Sequence, residues 1–247
     1  MINNEVRNIR REQKTHIRTK QLVSFFGLVG AYLLFFLAQA MAAQEGNTIR
    51  YVPIGDSYTI GTGASPEESW PALLTNHLQK QGFDIQLIAN PAHNGWTAAH
   101  AIQLELPVLQ PVRANFVTVM IGVNDWVQGV DAATFRRNFV VLLDTIQSGL
   151  KNKTQLLVVN IPDFFCTPSG RRFAGGRNIE QGITEFNEII ADESHKRKLI
   201  VVDIYTVSQK MRKDPSLTAR DGLHPSAKGY LLFEEAIYSE AKKLLKK

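Results

Sequence analysis

The chain has 247 residues, 44% of them apolar, and a formal net charge of +5. That size and composition fit one α/β domain with an extension, and they exclude a chain too polar to build a core. Residues 1–20 hold Arg7, Arg10, Arg11, Lys14, Arg18 and Lys20 against Glu5 and Glu12, four of the five net positive charges, so the basicity belongs to the N-terminal segment and argues against nucleic-acid binding.

The first recognisable element follows directly. Residues 21–44 contain no charged side chain, and Leu22 to Ala38 is almost wholly apolar. This length falls between a signal-peptide core and a spanning helix. Ala38-Gln39-Ala40 and Ala40-Met41-Ala42 place small residues at the spacing a signal peptidase reads. The expectation is a basic cytoplasmic segment plus a signal peptide or signal anchor over residues 1–44, followed by one domain over 45–247. With positive charge retained inside, that domain is exported: secreted or periplasmic, or tethered to the membrane if the leader is uncleaved.

From Ile49 onward, short β-branched runs alternate with amphipathic helical patterns. Ile49–Ile54 reads as a first strand, and Pro71–Gln81 as a helix with Leu73, Leu74 and Leu78 on its apolar face. Ile85–Ala89 is a second strand, Thr97–Leu104 a short helix, and Phe116–Ile121 a third strand. Ala132–Ser148 reads as a helix burying Phe135, Phe139, Leu142, Leu143 and Ile146. Gln155–Asn160 is a fourth strand, and residues 161–178 form a long loop rich in Pro, Gly and Arg. A helix carrying Ile179, Ile183, Phe186 and Ile190 precedes a fifth strand, Leu199–Asp203, and Ser226–Leu245 closes the chain as a helix. Strands that read as continuous apolar runs are buried on both faces, and helices between them make parallel crossovers. The expected fold is a three-layer α/β/α sandwich.

Four short segments fall where strands should end. Gly55-Asp56-Ser57 follows the first strand, and Gly55 permits a sharp turn that presents the Ser57 hydroxyl. A serine needs a base to act as a nucleophile at neutral pH. Asp221-Gly222-Leu223-His224 supplies an imidazole and, three residues before it, a carboxylate able to orient it. A tetrahedral intermediate also needs donors for its oxyanion. The Ser57 N–H, the Gly95 N–H in Asn94-Gly95-Trp96 and the Asn124 amide in Gly122-Val123-Asn124-Asp125 are the candidates.

These four segments, in this order over residues 49–247, resemble the four blocks of the SGNH (GDSL-type) hydrolases. The resemblance implies a five-stranded parallel sheet of flavodoxin-like order 2-1-3-4-5 and a hydrolase of acyl esters needing no metal or cofactor. By position it implies Ser57 as nucleophile, His224 as base, Asp221 as its partner, and an oxyanion hole of Ser57, Gly95 and Asn124. Tyr58 departs from the family pattern, which places leucine there. Asp56 is expected to brace the nearby loop backbone.

Small acyl esters and lysophospholipids are the expected substrates, with a carbohydrate O-acetyl ester as the alternative. A membrane-tethered binding module without turnover is the rival from another class, because fold does not guarantee activity. Trp96, Trp126, Phe164 and Phe165 are candidate walls of an acyl pocket. Arg171, Arg172 and Arg177 make the long loop cationic, which suits either solvent or an anionic substrate. His93 and His100 lack the spacing and partners of a zinc motif, and Gly61 and Gly63 form no dinucleotide fingerprint. Cys166 is the sole cysteine, so no intrachain disulfide forms, and it reads as an unreactive loop thiol.

Overall fold

The computed structural model describes residues 48–153 and 155–246. The basic segment and apolar run expected at residues 1–44 lie outside the described residues. Five strands, β1 (Ile49–Gly55), β2 (Ile85–Leu87), β3 (Phe116–Met120), β4 (Leu156–Val159) and β5 (Ile200–Val202), form one sheet of order β2-β1-β3-β4-β5. Every neighbouring pair is parallel, with Val52 opposite Val117, Val119 opposite Val158, and Val158 opposite Val201. The expected order is the one observed.

The longer helices are α2 (Trp70–Lys80), α5 (Ala132–Gly149), α6 (Ile179–Lys196) and α8 (Ala227–Leu245). Three of the four begin where a side chain satisfies a first-turn amide. Asp131 caps α5 by accepting from the Thr134 N–H, Asn178 caps α6 through Gln181, and Ser226 caps α8 through Gly229. The apolar stripe of α5 meets that of α6, where Phe135 and Phe186 stack with centroids 4.3 Å apart. α2 packs on α8 instead. The chain winds outward from β1 in both directions, so right-handed crossovers put these two pairs on opposite faces of the sheet. Among the described residues, no helix is long and apolar enough to cross a membrane.

Three features differ from the expectation. The short helix extends through residues 98–109 (α3), as α-helix Ala98–His100, a π-helical turn Ala101–Glu105 and α-helix Leu106–Leu109. Pro107 has no N–H for a carbonyl one turn back, and the widened turn lies just before it. Two short helices, α4 (Val123–Val127) and α7 (Ile204–Ser208), are too brief to show a 3.6-residue period. The loop over 161–178 contains two 3₁₀ turns, Phe164–Cys166 and Gly170–Phe173.

Candidate active site

β1 ends at Gly55, where an added Cβ would collide with the Thr59 hydroxyl and lie 2.5 Å from the Met120 carbonyl oxygen, so the tight turn there requires glycine. The turn leads straight into α1 (Ser57–Ile60), capped by Asp56, whose Oδ1 accepts from the Tyr58 N–H at 3.0 Å. Ser57 thereby opens a helix at the carboxyl edge of the sheet, where ligands bind in parallel α/β folds. His224 approaches from the turn before α8, with Nε2 2.9 Å from Ser57 Oγ. Its Nδ1 is 2.6 Å from Asp221 Oδ2, and Asp221 Oδ1 accepts from the N–H groups of Leu223 (2.8 Å) and His224 (3.0 Å). Partial burial pushes the Asp221 carboxyl up, but the His224 and backbone hydrogen bonds outweigh it and hold the group below its ordinary value. An ionised carboxylate only accepts, so Nδ1 carries the ring proton and Nε2 is left to accept from the Ser57 hydroxyl.

Asn124 sits in the first turn of α4, directly after β3. Its Nδ2 donates to the Trp96 carbonyl at 3.0 Å and to Asp56 Oδ2 at 3.3 Å. Gly95 has a left-handed backbone (φ 80°), and its carbonyl accepts from Gln128 Nε2 at 2.8 Å. The N–H groups of Ser57 and Gly95 meet no acceptor among the described residues. Ser57, Gly95, Asn124 and His224 all line one cavity of about 190 Å³, whose apolar wall is Tyr58, Val123, Val127, Phe164, Phe173 and Leu223.

Residues 54–232 match the GDSL-like lipase/acylhydrolase family. The chain belongs to that family. It is 24% identical over 218 residues to the esterase TesA of Pseudomonas aeruginosa, covering 88% of this chain and 98% of that one. An arylesterase of Vibrio mimicus is 22% identical with the same coverage. Among solved structures, the psychrotrophic esterase EstA from Pseudoalteromonas superposes with a TM-score of 0.65 at 20% identity, covering 81% of this chain and all of that one. A lipase/acylhydrolase from Enterococcus faecalis gives 0.65 at 24% identity, with 78% and 95% covered. The family membership makes this protein a carboxylic ester hydrolase.

Only Phe164 of the four expected aromatic walls lines the cavity of this hydrolase. Trp96 stacks with His93 (4.8 Å) and His100 (6.3 Å) at the rim. Trp126 is buried against Gly182 of α6, with the Arg177 guanidinium 4.0 Å above its ring. Phe165 lies beneath Arg171 at 4.9 Å. Arg177 also donates to the carbonyls of Trp126 (2.5 Å) and Val127 (2.9 Å), so it ties the long loop to α4. Tyr58, singled out in the sequence beside Ser57, does line the cavity; the walls missed from sequence include Leu223, whose adjacency to His224 was a usable signal. Phe173 had none, since its place at the cavity depends on how the long loop folds back.

A buried polar layer lies next to the Ser57 turn and α4. Burial pushes the Asp56 carboxyl up to about 7 against the pull of the Tyr58 amide, with Asp125 adding to the rise. Asp125, buried on α4, accepts from the Ala98 N–H at 2.9 Å, and burial moves it up to about 6. Cys166 is buried and donates its thiol to the Ser208 carbonyl at 3.2 Å, and burial pushes it up to about 12.

Proposed function

We propose that this hydrolase cleaves esters of small acyl groups through an acyl-enzyme. The observation that carries the reading is the hydrogen-bonded line Asp221–His224–Ser57, with contacts of 2.6 and 2.9 Å, opening onto a small apolar cavity. Ser57 Oγ attacks the ester carbonyl as His224 Nε2 takes its proton, and Asp221 stabilises the imidazolium that forms. The oxyanion develops against the N–H groups of Ser57 and Gly95 and the Asn124 amide. Asn124 must then exchange one of its present partners, and the longer contact to Asp56 is the weaker to give up. His224 returns the proton to the leaving alcohol, then activates the water that releases the acid.

Cavity size supports the choice of acyl group. At roughly 30 Å³ per water-sized group, 190 Å³ holds an acyl chain of about six heavy atoms. An acetyl group on a sugar also fits, and that second reading is favoured by the same small volume. Export across a membrane belongs to the proposal and is supported by the basic and apolar sequence of residues 1–44, which, left uncleaved, tethers the protein to lipid.

A fluorophosphonate probe should label Ser57, and nitrophenyl esters should be hydrolysed fastest with chains of up to about six carbons. Unlabelled Ser57, or best turnover on sixteen-carbon chains, contradicts the reading. Faster release of acetate from acetylated xylan than from any simple ester selects the sugar-ester alternative.

A further inference from the structure

Glu105 ends the π-helical turn of α3 and is fully buried, while its neighbour Leu104 is half exposed. Hydropathy alone would reverse that placement. The widened turn rotates the carboxyl inward, beneath the strand end that carries the nucleophile. Its Oε2 accepts from the Gly55 N–H at 2.8 Å, and its Oε1 meets no partner among the described residues.

The surroundings are acidic. Asp56, next to Gly55, acts electrostatically on Glu105, and Asp125 acts on Asp56 in turn. No lysine or arginine pairs with any of the three carboxyls among the described residues. The core face of α5, packed on this turn, offers Phe135, Phe139, Leu142, Leu143 and Ile146, with no titratable group. β1 contributes Tyr51, whose hydroxyl bonds Thr118, and α1 contributes the buried Tyr58. Neighbouring buried carboxylates without a counter-charge do not all ionise, so protons stay on this cluster.

We propose that Glu105 is a positioning residue for ester hydrolysis: held as an uncharged acid, it anchors the Gly55 amide and with it the turn that aims Ser57. This rests on Ser57 being the nucleophile. Burial, then the neighbouring Asp56, hold the Glu105 carboxyl up at about 8, against the Gly55 hydrogen bond. Ionisation above that pH puts a second negative charge beside Asp56, and moving the turn is the available relief. A displaced Ser57 lowers kcat and leaves the acyl cavity, and so KM, nearly as before.

The test compares the full-length wild type with Glu105→Gln, Glu105→Leu and Ser57→Ala on a short nitrophenyl ester between pH 6 and 9.5. Gln keeps an oxygen for the Gly55 N–H and cannot ionise. Its kcat should match wild type at pH 7 and persist at pH 9, where wild type falls. Glu105→Leu should lose about 10- to 100-fold in kcat with little change in KM. If it fails to fold, the Gln profile decides. An inactive Ser57→Ala together with an unchanged alkaline limb in Glu105→Gln, or with wild-type kcat in Glu105→Leu, overturns the positioning role alone. An active Ser57→Ala overturns the assignment of the nucleophile, and this proposal with it.

Discussion

Asp221 holds His224 through both carboxylate oxygens: Oδ2 faces the ring Nδ1 at 2.6 Å while Oδ1 accepts the backbone N–H of the same residue at 3.0 Å. Ring and main chain are thus oriented by one side chain, which leaves Nε2 aimed at Ser57. Asp221→Asn retains the shape and loses the acceptor-only character that sets the tautomer. Its kcat is expected to fall about 10⁴-fold with KM little changed. Steady-state kinetics on a short ester checks this, and a loss below tenfold would show that another group orients the ring.

Asn124 is held from two sides, by the Trp96 carbonyl and the Asp56 carboxyl. The Trp96 contact, the shorter of the two, can hold the amide in place while the longer one to Asp56 is exchanged for the oxyanion of the proposed mechanism. Asn124→Ala should lower kcat by about 10²–10³. Urea unfolding run beside the kinetics separates this from simple loss of stability.

Gly182 of α6 touches Trp126, and a Cβ placed there would run into the indole nitrogen. Trp126 belongs to the same short helix as Asn124. Gly182→Ala should therefore destabilise the fold by about 1–3 kcal/mol through overpacking. Urea denaturation followed by tryptophan fluorescence measures it, and an unshifted midpoint would mean that α6 slides away without penalty.

The buried acids predict how stability depends on pH. Glu105 rises from 4.5 to about 8, Asp56 from 3.8 to about 7 and Asp125 from 3.8 to about 6, each led by burial. Each binds its proton more tightly folded than unfolded, so its contribution is most favourable below the ordinary value and is lost as pH rises to the folded value. The lowered carboxyls, Asp221, Asp203 and Glu193, act oppositely, and their contribution disappears only under acid conditions. Between about pH 5 and 8.5 the urea midpoint should fall, and Glu105→Gln should fall less. The difference between the two proteins isolates Glu105 from the histidines. Parallel curves would show that this carboxyl already ionises near its ordinary value.

Much of this protein was legible in its sequence, for a local reason. The strands announce themselves by short, mainly apolar runs, wholly apolar only in β4 and β5, each long helix by apolar residues at helical spacing, and the four motif segments by residue types needed at strand ends. Ser57, Gly95, Asn124 and His224 stand out in the sequence alone, and the folded chain brings them to one cavity. What sequence alone did not reveal depends on contacts between distant segments. The brief α4 and α7 have too few turns to display a period. Trp126 and Phe173 look alike as loop aromatics, yet the closeness of Gly182 buries one in the core and the return of the long loop sets the other at the cavity. Glu105 looks like a surface carboxylate on an amphipathic helix, and only the π-helical turn together with the Gly55 amide, fifty residues earlier in the chain, directs it inward. Periodicity and motif are properties of neighbouring residues, whereas burial of a charge is decided by which remote backbone group waits to meet it.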